Sequence, residues 1–268
     1  MAFDPGEWLR RVRDAHPLVH NITNLVVMQI SANTLLAAGA SPVMAHAAEE
    51  VADMAKIAGA LVLNIGTLEP AWVRSMELAS RSAHTEGVPV VLDPVGVGAT
   101  PYRSRIAQEL LLTAHPHVVR GNAGEILALA GGRAEVKGVD AGAKTATREQ
   151  VVHLARSTRG VVAATGAEDV VTDGSRVARV KNGHPMLQLV TGTGCSLSSL
   201  VGAYLAVARP NTDRYLEATV AALVAFEVAA EQAARQVAGP GSFHVAFLDA
   251  LYNLKPEDVN RDARVDWD

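Results

Sequence analysis

The chain has 268 residues, of which 49% are hydrophobic and 19% are charged, and its formal net charge is -4. This composition excludes a disordered chain, and the absence of a dense Lys/Arg run argues against a nucleic-acid surface as the main function. A single cysteine excludes an internal disulfide and fits a reducing cytoplasm, the location that we expect. No apolar stretch reaches the roughly 18 uninterrupted residues of a membrane span, and we expect neither membrane contact nor a signal peptide.

The first part of the chain alternates short β-branched runs with longer segments rich in Ala and Leu. The short runs predict buried strands at residues 41–44, 60–64, 89–93, 117–120 and 160–164. The segments between the first four predict crossover helices at residues 48–57, 70–86 and 103–114. Continuous apolar strands that alternate with helices are typical of a mostly parallel central sheet with helices on both faces.

After residue 164 the pattern changes. Residues 169–172 and 176–181 flank Asp173-Gly174 and predict a β-hairpin, which adds antiparallel strands to the sheet. An apolar run at 186–190 predicts a further strand, and the helices predicted last are at 196–208, 214–236 and 242–251. We interpret the Gly- and Ala-rich stretch 131–147 as an internal loop and expect the polar tail after Lys255 to fray. The chain is therefore predicted to be one α/β domain over residues 1–268.

Polar residues and glycines follow the predicted strands at their carboxyl ends, where parallel sheets bind ligands. They lie in five groups, at residues 64–67, 93–98, 120–125, 165–166 and 192–195. Because carboxyl ends of parallel strands share one edge of a sheet, these groups are expected to lie near one another. Turns that combine Asp, Asn, Glu and several glycines at one edge predict a site for phosphate and a metal ion.

Each of these polar residues also has a purely structural interpretation. Asp93 can coordinate a divalent ion or serve as a turn residue. Asn122 and Glu125 can face one ligand or form a capping box at a helix start. Arg120 can bind phosphate oxygens or make a surface salt bridge, and Thr165 can donate to a phosphate or cap a turn.

The HNITN segment at residues 20–24 offers a similar choice. Asn24 can hydrogen-bond a small ligand, but Thr23 or Asn24 as the N-cap of the following helix is the commoner explanation. No G-x-x-x-x-G-K-[ST] motif is present, which excludes a P-loop enzyme. The histidines at 115, 117 and 184 lack the spacing of a zinc site.

The stretch VTGTGCSLSSL, residues 190–200, predicts an anion site. Gly192 and Gly194 permit backbone angles and close approaches that a β-carbon would block. The helix start that follows directs unpaired N–H groups at whatever lies above the loop. Cys195 has three interpretations: a nucleophile, a proton acceptor or hydrogen-bonding group, or a small packed residue.

Six segments together resemble a known family. They are HNITN at 20–24, GASPVMAHAAEEV at 39–51, ALVLNIGTL at 60–68, DPVGVGATPYR at 93–103, RGNAGEI at 120–126 and VTGTGCSLSSLVGAY at 190–204. They closely resemble the hydroxyethylthiazole kinases of thiamin salvage, within the ribokinase-like superfamily. The match runs in order from about residue 19 to residues 239–243. The resemblance implies a ribokinase-like fold without a separate lid domain.

The resemblance also implies an activity and a set of site residues. The activity is ATP-dependent phosphorylation of the hydroxyl of 4-methyl-5-(2-hydroxyethyl)thiazole, with magnesium as the metal ion. Cys195 would be the catalytic residue beside the reacting hydroxyl. The thiazole would be bound by Asn24, Val26, Met44, Gly66 and Gly192, ATP by Arg120, Asn122, Thr165 and Gly194, and magnesium by Asp93 and Glu125. A homotrimer with active sites between subunits is implied as well.

One departure from the superfamily pattern keeps two other hypotheses open. Most members of the superfamily carry Asp, the presumed base, where this chain has Cys195. A nucleotide-binding dehydratase, which is a lyase, shares the fold and the N-x-x-E and G-x-G-D loops, but it would lack HNITN and SPVMAH. A catalytically weak ligand-sensing protein is the alternative that the missing Asp suggests.

Overall fold

Nine strands form one sheet in the computed structural model, which describes residues 3–131 and 147–268. The strands are β1 (Leu18–Ile22), β2 (Ser41–Val43), β3 (Ala60–Asn64), β4 (Val90–Asp93), β5 (Val118–Asn122), β6 (Val161–Thr165), β7 (Asp169–Thr172), β8 (Val177–Val180) and β9 (Val265–Trp267). Their order is β2-β1-β3-β4-β5-β6-β7-β8-β9. All pairs among β1 to β6 are parallel, whereas the pairs β6–β7, β7–β8 and β8–β9 are antiparallel. The predicted mostly parallel sheet and the hairpin are confirmed.

Helices cover both faces of this sheet. They are α1 (Pro5–Ala15), α2 (Met28–Ala38), α3 (Val51–Ile57), α4 (Pro70–Thr85), α5 (Pro101–Thr113), α6 (Ala123–Leu129), α7 (Arg148–Thr158), α8 (Thr193–Ala208), α9 (Tyr215–Ala234), α10 (Pro240–Asn253) and α11 (Pro256–Asp262). Successive side chains of a strand point to opposite faces, so Val62 packs in one core with α1, α2, α8, α9 and α10. Leu61 and Leu63 pack in the other core with α3 to α7.

The predicted crossover helices and the three later helices are present, with ends that differ by a few residues. The strand predicted at 186–190 is wrong: Pro185–Leu189 is a 3-10 helix. Its first turn is closed by the His184 side chain, which accepts from the Met186 N–H, and by the Leu187 N–H, which donates to the His184 carbonyl. The apolar pattern could not show this, because these capping contacts come from a residue outside the run.

The expected fraying after Lys255 is also wrong. Val259 of α11 is fully buried against α9, and β9 completes the sheet by pairing with β8. The sequence pattern also gave no indication of β1, which lies between β2 and β3 in the sheet, or of α1. The predicted loop at 131–147 falls almost wholly outside the described residues. No helix in the described part of the chain combines the length and apolarity needed to cross a membrane.

Candidate active site

Six parallel strands end at one edge of the sheet, and the start of α8 lies beside them. The polar residues that the sequence singled out occupy these ends. Asn24 follows β1, and Asp93, Asn122 and Thr165 are the last residues of β4, β5 and β6. Neighbouring strands place Asn122 opposite Thr165 and Asn64 opposite Asp93 in the register. The structure therefore brings the predicted site residues to one place.

A chain of side-chain hydrogen bonds runs along this edge from Asn24 to Asp93. The Asn24 Nδ2 donates to Asn64 Oδ1 at 2.8 Å, and the Asn64 Nδ2 donates to Asp93 Oδ2 at 2.8 Å. Neither Thr23 nor Asn24 caps α2, whose N-cap residue is Val27 without a side-chain hydrogen bond. The capping interpretation of the HNITN segment is therefore wrong. The Asn24 side chain hydrogen-bonds Asn64 at the sheet edge instead.

Asp93 is a buried carboxylate with one occupied oxygen and one free oxygen. Its side chain is 1% exposed, and Oδ2 accepts from Asn64 and from the Ser198 hydroxyl at 2.8 Å. Oδ1 has no hydrogen-bond partner among the described residues. Burial raises the pKa of Asp93 to about 6, and the Arg120 guanidinium opposes that rise. A buried, unpartnered carboxylate oxygen is costly unless a ligand occupies it, which favours the functional interpretation.

The capping box at the start of α6 is present, and Glu125 has a further contact. Asn122 Oδ1 accepts from the Glu125 N–H at 2.9 Å, and Glu125 Oε2 accepts from the Asn122 N–H at 2.8 Å. Glu125 Oε1 also accepts from the Gly96 N–H at 2.8 Å. The same carboxylate thus fixes the helix start and the glycine loop after β4.

Arg120 is a buried guanidinium beneath the start of α8. It is 8% exposed, and its Nη2 donates to Thr165 Oγ1 at 2.6 Å. No carboxylate of the described residues lies within salt-bridge distance of it, so the surface salt-bridge interpretation is wrong. A β-carbon at Gly194 would lie 3.0 Å from Arg120 Nη1, which explains why glycine suits that position. Arg120 and the start of α8 together give the loop a positive environment.

The glycine loop continues directly into α8, which begins three residues before its predicted start. Its N-cap residue, Gly192, has φ +91°, and a β-carbon there would lie 2.6 Å from Ile30 Cγ2. Thr193 anchors the loop by donating to the Leu187 carbonyl at 2.7 Å. No side chain of the described residues caps this helix, so the N–H groups of its first turn are available to an anion.

Cys195 lies between the amides and the helix start. Its Sγ accepts from Asn24 Nδ2 at 3.7 Å. Burial raises the pKa of the thiol to about 12, and the nearby Asp93 adds to the rise. A sulfur that is already an acceptor and holds its proton this firmly is a poor nucleophile and a poor base. A hydrogen-bonding role fits the geometry better.

The residues expected to bind the thiazole flank the same loop. The Gly66 N–H donates to Asn64 Oδ1 at 2.9 Å, and the Val26 N–H donates to Asn24 Oδ1 at 3.1 Å. The Asn24 side chain fills the space that a Gly66 β-carbon would need. Met44 is half-buried after β2, where its carbonyl contacts the His46 ring. His46 in turn contacts the backbone of Thr23, which ties Met44 to the Asn24 loop.

Comparison with known proteins gives the family. The model of the hydroxyethylthiazole kinase family matches residues 9–257. The chain belongs to the hydroxyethylthiazole kinase family. A hydroxyethylthiazole kinase from Desulfotalea psychrophila is 49% identical over 261 residues, which are 97% of this chain and 94% of that protein. Because this family consists of kinases, ATP is the co-substrate, and the lyase and ligand-sensing alternatives are set aside.

Solved structures agree with this assignment. The hydroxyethylthiazole kinase protein from Pyrococcus horikoshii OT3 superposes with a TM-score of 0.88 at 47% identity, covering 98% of each chain. A ribokinase-like superfamily protein from Enterococcus faecalis V583 superposes with a TM-score of 0.63 at 12% identity, covering 89% of this chain and 87% of that one. The second likeness concerns the fold alone. The predicted ribokinase-like α/β fold is confirmed.

The structure adds residues to this hydroxyethylthiazole kinase site that the sequence analysis missed. Arg103 donates to the Ile65, Gly66 and Val95 carbonyls at 2.7 to 2.9 Å and so joins the loops after β3 and β4. Ser198 of α8 donates to Asp93. Arg103 lies in the DPVGVGATPYR segment, and its position there was the available indication of a role. Ser198 gave none, because serine is common in helices of this composition.

A pair of buried carboxyl groups lies behind the nucleotide side of the site. Asp169 of β7 and Glu227 of α9 are 2% and 6% exposed, and the two carboxyl groups lie close enough to shift each other's pKa. Burial raises the pKa of both groups, and Asp169 raises that of Glu227 further. Asp169 Oδ1 accepts from the Gly166 N–H at 2.8 Å, directly after Thr165. The pair therefore supports the turn that the sequence predicts to contact ATP.

We expect Glu227→Gln to change how stability depends on pH. The folded chain holds the Glu227 proton above the pH at which the unfolded chain releases it, so the contribution of Glu227 to stability is complete below about pH 4.5. That contribution is lost as pH rises through the folded-state pKa, whereas glutamine keeps a donor toward Asp169 and does not titrate. The free energy of unfolding of the variant should therefore rise relative to that of the wild type by up to about 1.4 kcal/mol for each pH unit over the range in which Glu227 titrates.

Urea unfolding between pH 5 and pH 9 measures this difference. Glu217→Gln is the matched control, because Glu217 lies on the same helix but its side chain is 31% exposed and paired with Arg214. The free energy of unfolding of the Glu217 variant should depend on pH in the same way as that of the wild type. A Glu227 variant with the same pH slope as the wild type would contradict the raised pKa of Glu227.

Proposed function

We propose that this chain transfers the γ-phosphoryl group of ATP to the hydroxyl of 4-methyl-5-(2-hydroxyethyl)thiazole. The observation that carries the proposal is the convergence of the free Asp93 oxygen, the uncapped start of α8 and the Asn24–Asn64 amides at one sheet edge. Such a site has a carboxylate for charge neutralisation, an anion-binding helix start and polar groups for an alcohol. The name of the family relatives supports the thiazole alcohol as the acceptor.

The two substrates occupy opposite sides of the α8 start in this proposal. Asn24, Val26, Met44 and Gly66 bind the thiazole, and Gly192 lies near its hydroxyl. On the other side, Arg120, Asn122, Thr165 and Gly194 bind ATP. The support is geometric: the first group is linked through the Asn24 contacts, and the second through the Arg120 contacts with Thr165 and the Gly194 backbone.

We propose magnesium as the metal ion, held by Asp93 and Glu125. The residues fit such an ion, because carboxylate oxygens are the ligands magnesium prefers and Asp93 Oδ1 is buried without a partner among the described residues. The capping box and the Gly96 N–H fix the Glu125 carboxylate in orientation. When bound, the ion supplies neutralisation of the negative charge on the phosphates.

The contribution of the chain to the reaction is mainly positioning. Phosphoryl transfer passes through a loose transition state, so the alignment of the two oxygens and the neutralisation of charge matter more than a strong base. The N–H groups at the start of α8 and the Arg120 guanidinium stabilise the charge on the transferring group. Cys195, whose pKa is raised to about 12, holds the acceptor hydroxyl by a hydrogen bond and keeps its own proton.

A direct assay tests the function. Purified protein is incubated with ATP, magnesium and the thiazole alcohol, and the products are identified by mass spectrometry. We expect one phosphorylated thiazole for each ADP formed, and no ADP above the background when the alcohol is omitted. Folded protein that yields no phosphorylated thiazole would refute the proposal. Hydroxymethylpyrimidine as a second acceptor measures selectivity for the thiazole.

Asp93→Asn and Glu125→Gln should reduce turnover far more than affinity for the alcohol. Each change removes a negative charge that the phosphates and magnesium need, and we expect kcat to fall by about 10² to 10³-fold, the usual effect of deleting one electrostatic group. The KM for the thiazole alcohol should change less than about threefold, because neither carboxylate contacts it. Steady-state kinetics at saturating magnesium measures both constants. Full rates in both variants would mean that the carboxylates do not hold the ion.

Cys195→Asp distinguishes a proton-accepting position from a packing position. An aspartate there would lie beside the Asn24 and Asn64 amides, which can donate to it, and we expect turnover to be retained or raised. Cys195→Ser, which keeps a small hydrogen-bonding group without a carboxylate, is the control and should stay within about tenfold of the wild type. A large loss in the Asp variant with an active Ser variant would contradict a proton-accepting position.

We also propose a homotrimer with active sites between subunits. Leu25, Val26 and Leu189 are 64%, 69% and 66% exposed, and their segments meet where Val27 closely approaches Gly192. Apolar side chains beside an open site are suited to burial by a second copy of the chain.

We further place the kinase in the cytoplasm, where ATP is supplied, and treat residues 1–268 as one domain.

Sedimentation velocity tests the assembly. The wild type should sediment as a trimer, and Leu25→Asp with Leu189→Asp should shift it toward the monomer, because charges would be buried at the interface. Leu112→Asp is the matched control, since Leu112 is 70% exposed on α5 and away from these segments. A wild type that sediments as a monomer would refute the trimer.

A further inference from the structure

Asn64 makes three hydrogen bonds at the sheet edge. It ends β3 between β1 and β4 and is 1% exposed. Its Oδ1 accepts from Asn24 Nδ2 at 2.8 Å and from the Gly66 N–H at 2.9 Å. Its Nδ2 donates to Asp93 Oδ2 at 2.8 Å. One amide thus touches two residues of the alcohol pocket and the carboxylate on the phosphate side.

The orientation of this amide is fixed by its neighbours. The Gly66 N–H can only donate, so the atom facing it must be the Asn64 oxygen. The opposite end then presents N–H groups to Asp93, whose oxygens accept. The Asn64 orientation also fixes that of Asn24. The Asn24 Nδ2 must face the Asn64 oxygen, and its Oδ1 accepts from the Val26 N–H. Every hydrogen bond in the series donates toward Asp93.

The same contacts decide which oxygen of Asp93 remains free. Asn64 and Ser198 both donate to Oδ2, which leaves Oδ1 as the oxygen without a partner among the described residues. The carboxylate would be free to rotate without these two donors. Ser198 belongs to α8 and does not hydrogen-bond Asn24 or Gly66, so among the described side chains it is Asn64 that hydrogen-bonds both Asp93 and residues of the alcohol pocket.

We propose that Asn64 is a positioning residue that couples the acceptor-alcohol pocket to Asp93. It fixes the Asn24 amide and the Gly66 turn toward the alcohol, and with Ser198 it fixes the Asp93 carboxylate toward the phosphates. The inference rests on the proposed function and goes beyond it by assigning one side chain to both halves of the reaction. Its loss should therefore change alcohol binding and turnover together and leave ATP binding unchanged.

Three variants separate this role from a merely structural one. Asn64→Ala removes the contacts on both sides, so kcat should fall and the KM for the thiazole alcohol should rise, each by at least about tenfold, the usual effect of losing a hydrogen bond to a charged group. Ser198→Ala removes a donor to Asp93 alone, so kcat should fall while the alcohol KM stays within about twofold. The KM for ATP should stay within about twofold in both variants.

Asn21→Ala is the matched control for the cost of removing a buried asparagine. Asn21 lies on the neighbouring β1, is fully buried, donates to the Val19 carbonyl and accepts from the Ser199 hydroxyl. It contacts none of Asn24, Gly66 and Asp93 in the described residues. Its variant should lower the thermal unfolding midpoint about as much as Asn64→Ala does, with all three kinetic constants within about twofold of the wild type.

The outcomes separate the inference from the proposed function. A wild type inactive on the thiazole alcohol refutes the function. An active wild type with an Asn64→Ala variant that matches Asn21→Ala in its kinetic constants, or that raises the KM for ATP as much as the KM for the alcohol, refutes the positioning role. If Asn64→Ala does not fold, Asn64→Ser carries the same comparison, since serine is too short to bridge Asn24 and Asp93 at once. The split kinetic effect in either variant supports the inference.

Discussion

The burial of Asp93 is the constraint on which the site depends. A carboxylate that is 1% exposed must have its charge compensated, and the chain does so unevenly: two donors hold one oxygen, and the other has none among the described residues. An apolar end to β4 would be cheaper for folding. The uneven compensation makes sense if a cation or its water ligands complete the shell during catalysis. The donors that hold Asp93, from β3 and α8, then fix where those ligands must lie.

Positive charge is arranged in a complementary way. Arg120 is buried without a salt bridge to any described carboxylate. Its charge nevertheless opposes the rise that burial causes in the pKa values of Asp93, Asp169 and Glu227. Because burial raises the pKa of Glu227 well above its ordinary value, this acid adds no further negative charge beside Arg120. The guanidinium lies below the start of α8, where Gly194 leaves room for it. The chain therefore places a buried guanidinium beside the start of α8 without exposing a basic surface, which agrees with a net charge of -4.

The sequence predicts the frame of this site well and its internal contacts poorly. The bounds of β3 agree with the prediction, and Asp93 and Thr165 lie at strand ends as expected, because apolar runs and the turns after them are local features. The Asn24–Asn64 contact joins residues 40 positions apart, and Ser198 contacts Asp93 across 105 positions. No local pattern encodes such pairs. Glu227 was hidden for another reason: its helix is buried on nearly all sides and carries three glutamates, so the sequence does not show which of them has a buried partner.

The surroundings of Cys195 show how these contacts limit the chemistry. A thiol at a helix start would ordinarily gain thiolate character, which was the basis of the nucleophile interpretation. Here burial and the neighbouring carboxylate outweigh the helix start, so the pKa of the thiol rises to about 12. The Asn24 amide donates to the sulfur, and the thiol, which keeps its own proton, can itself donate. A loose phosphoryl-transfer transition state needs little help from a base, so a site that orients the alcohol and neutralises phosphate charge can tolerate a cysteine at this position.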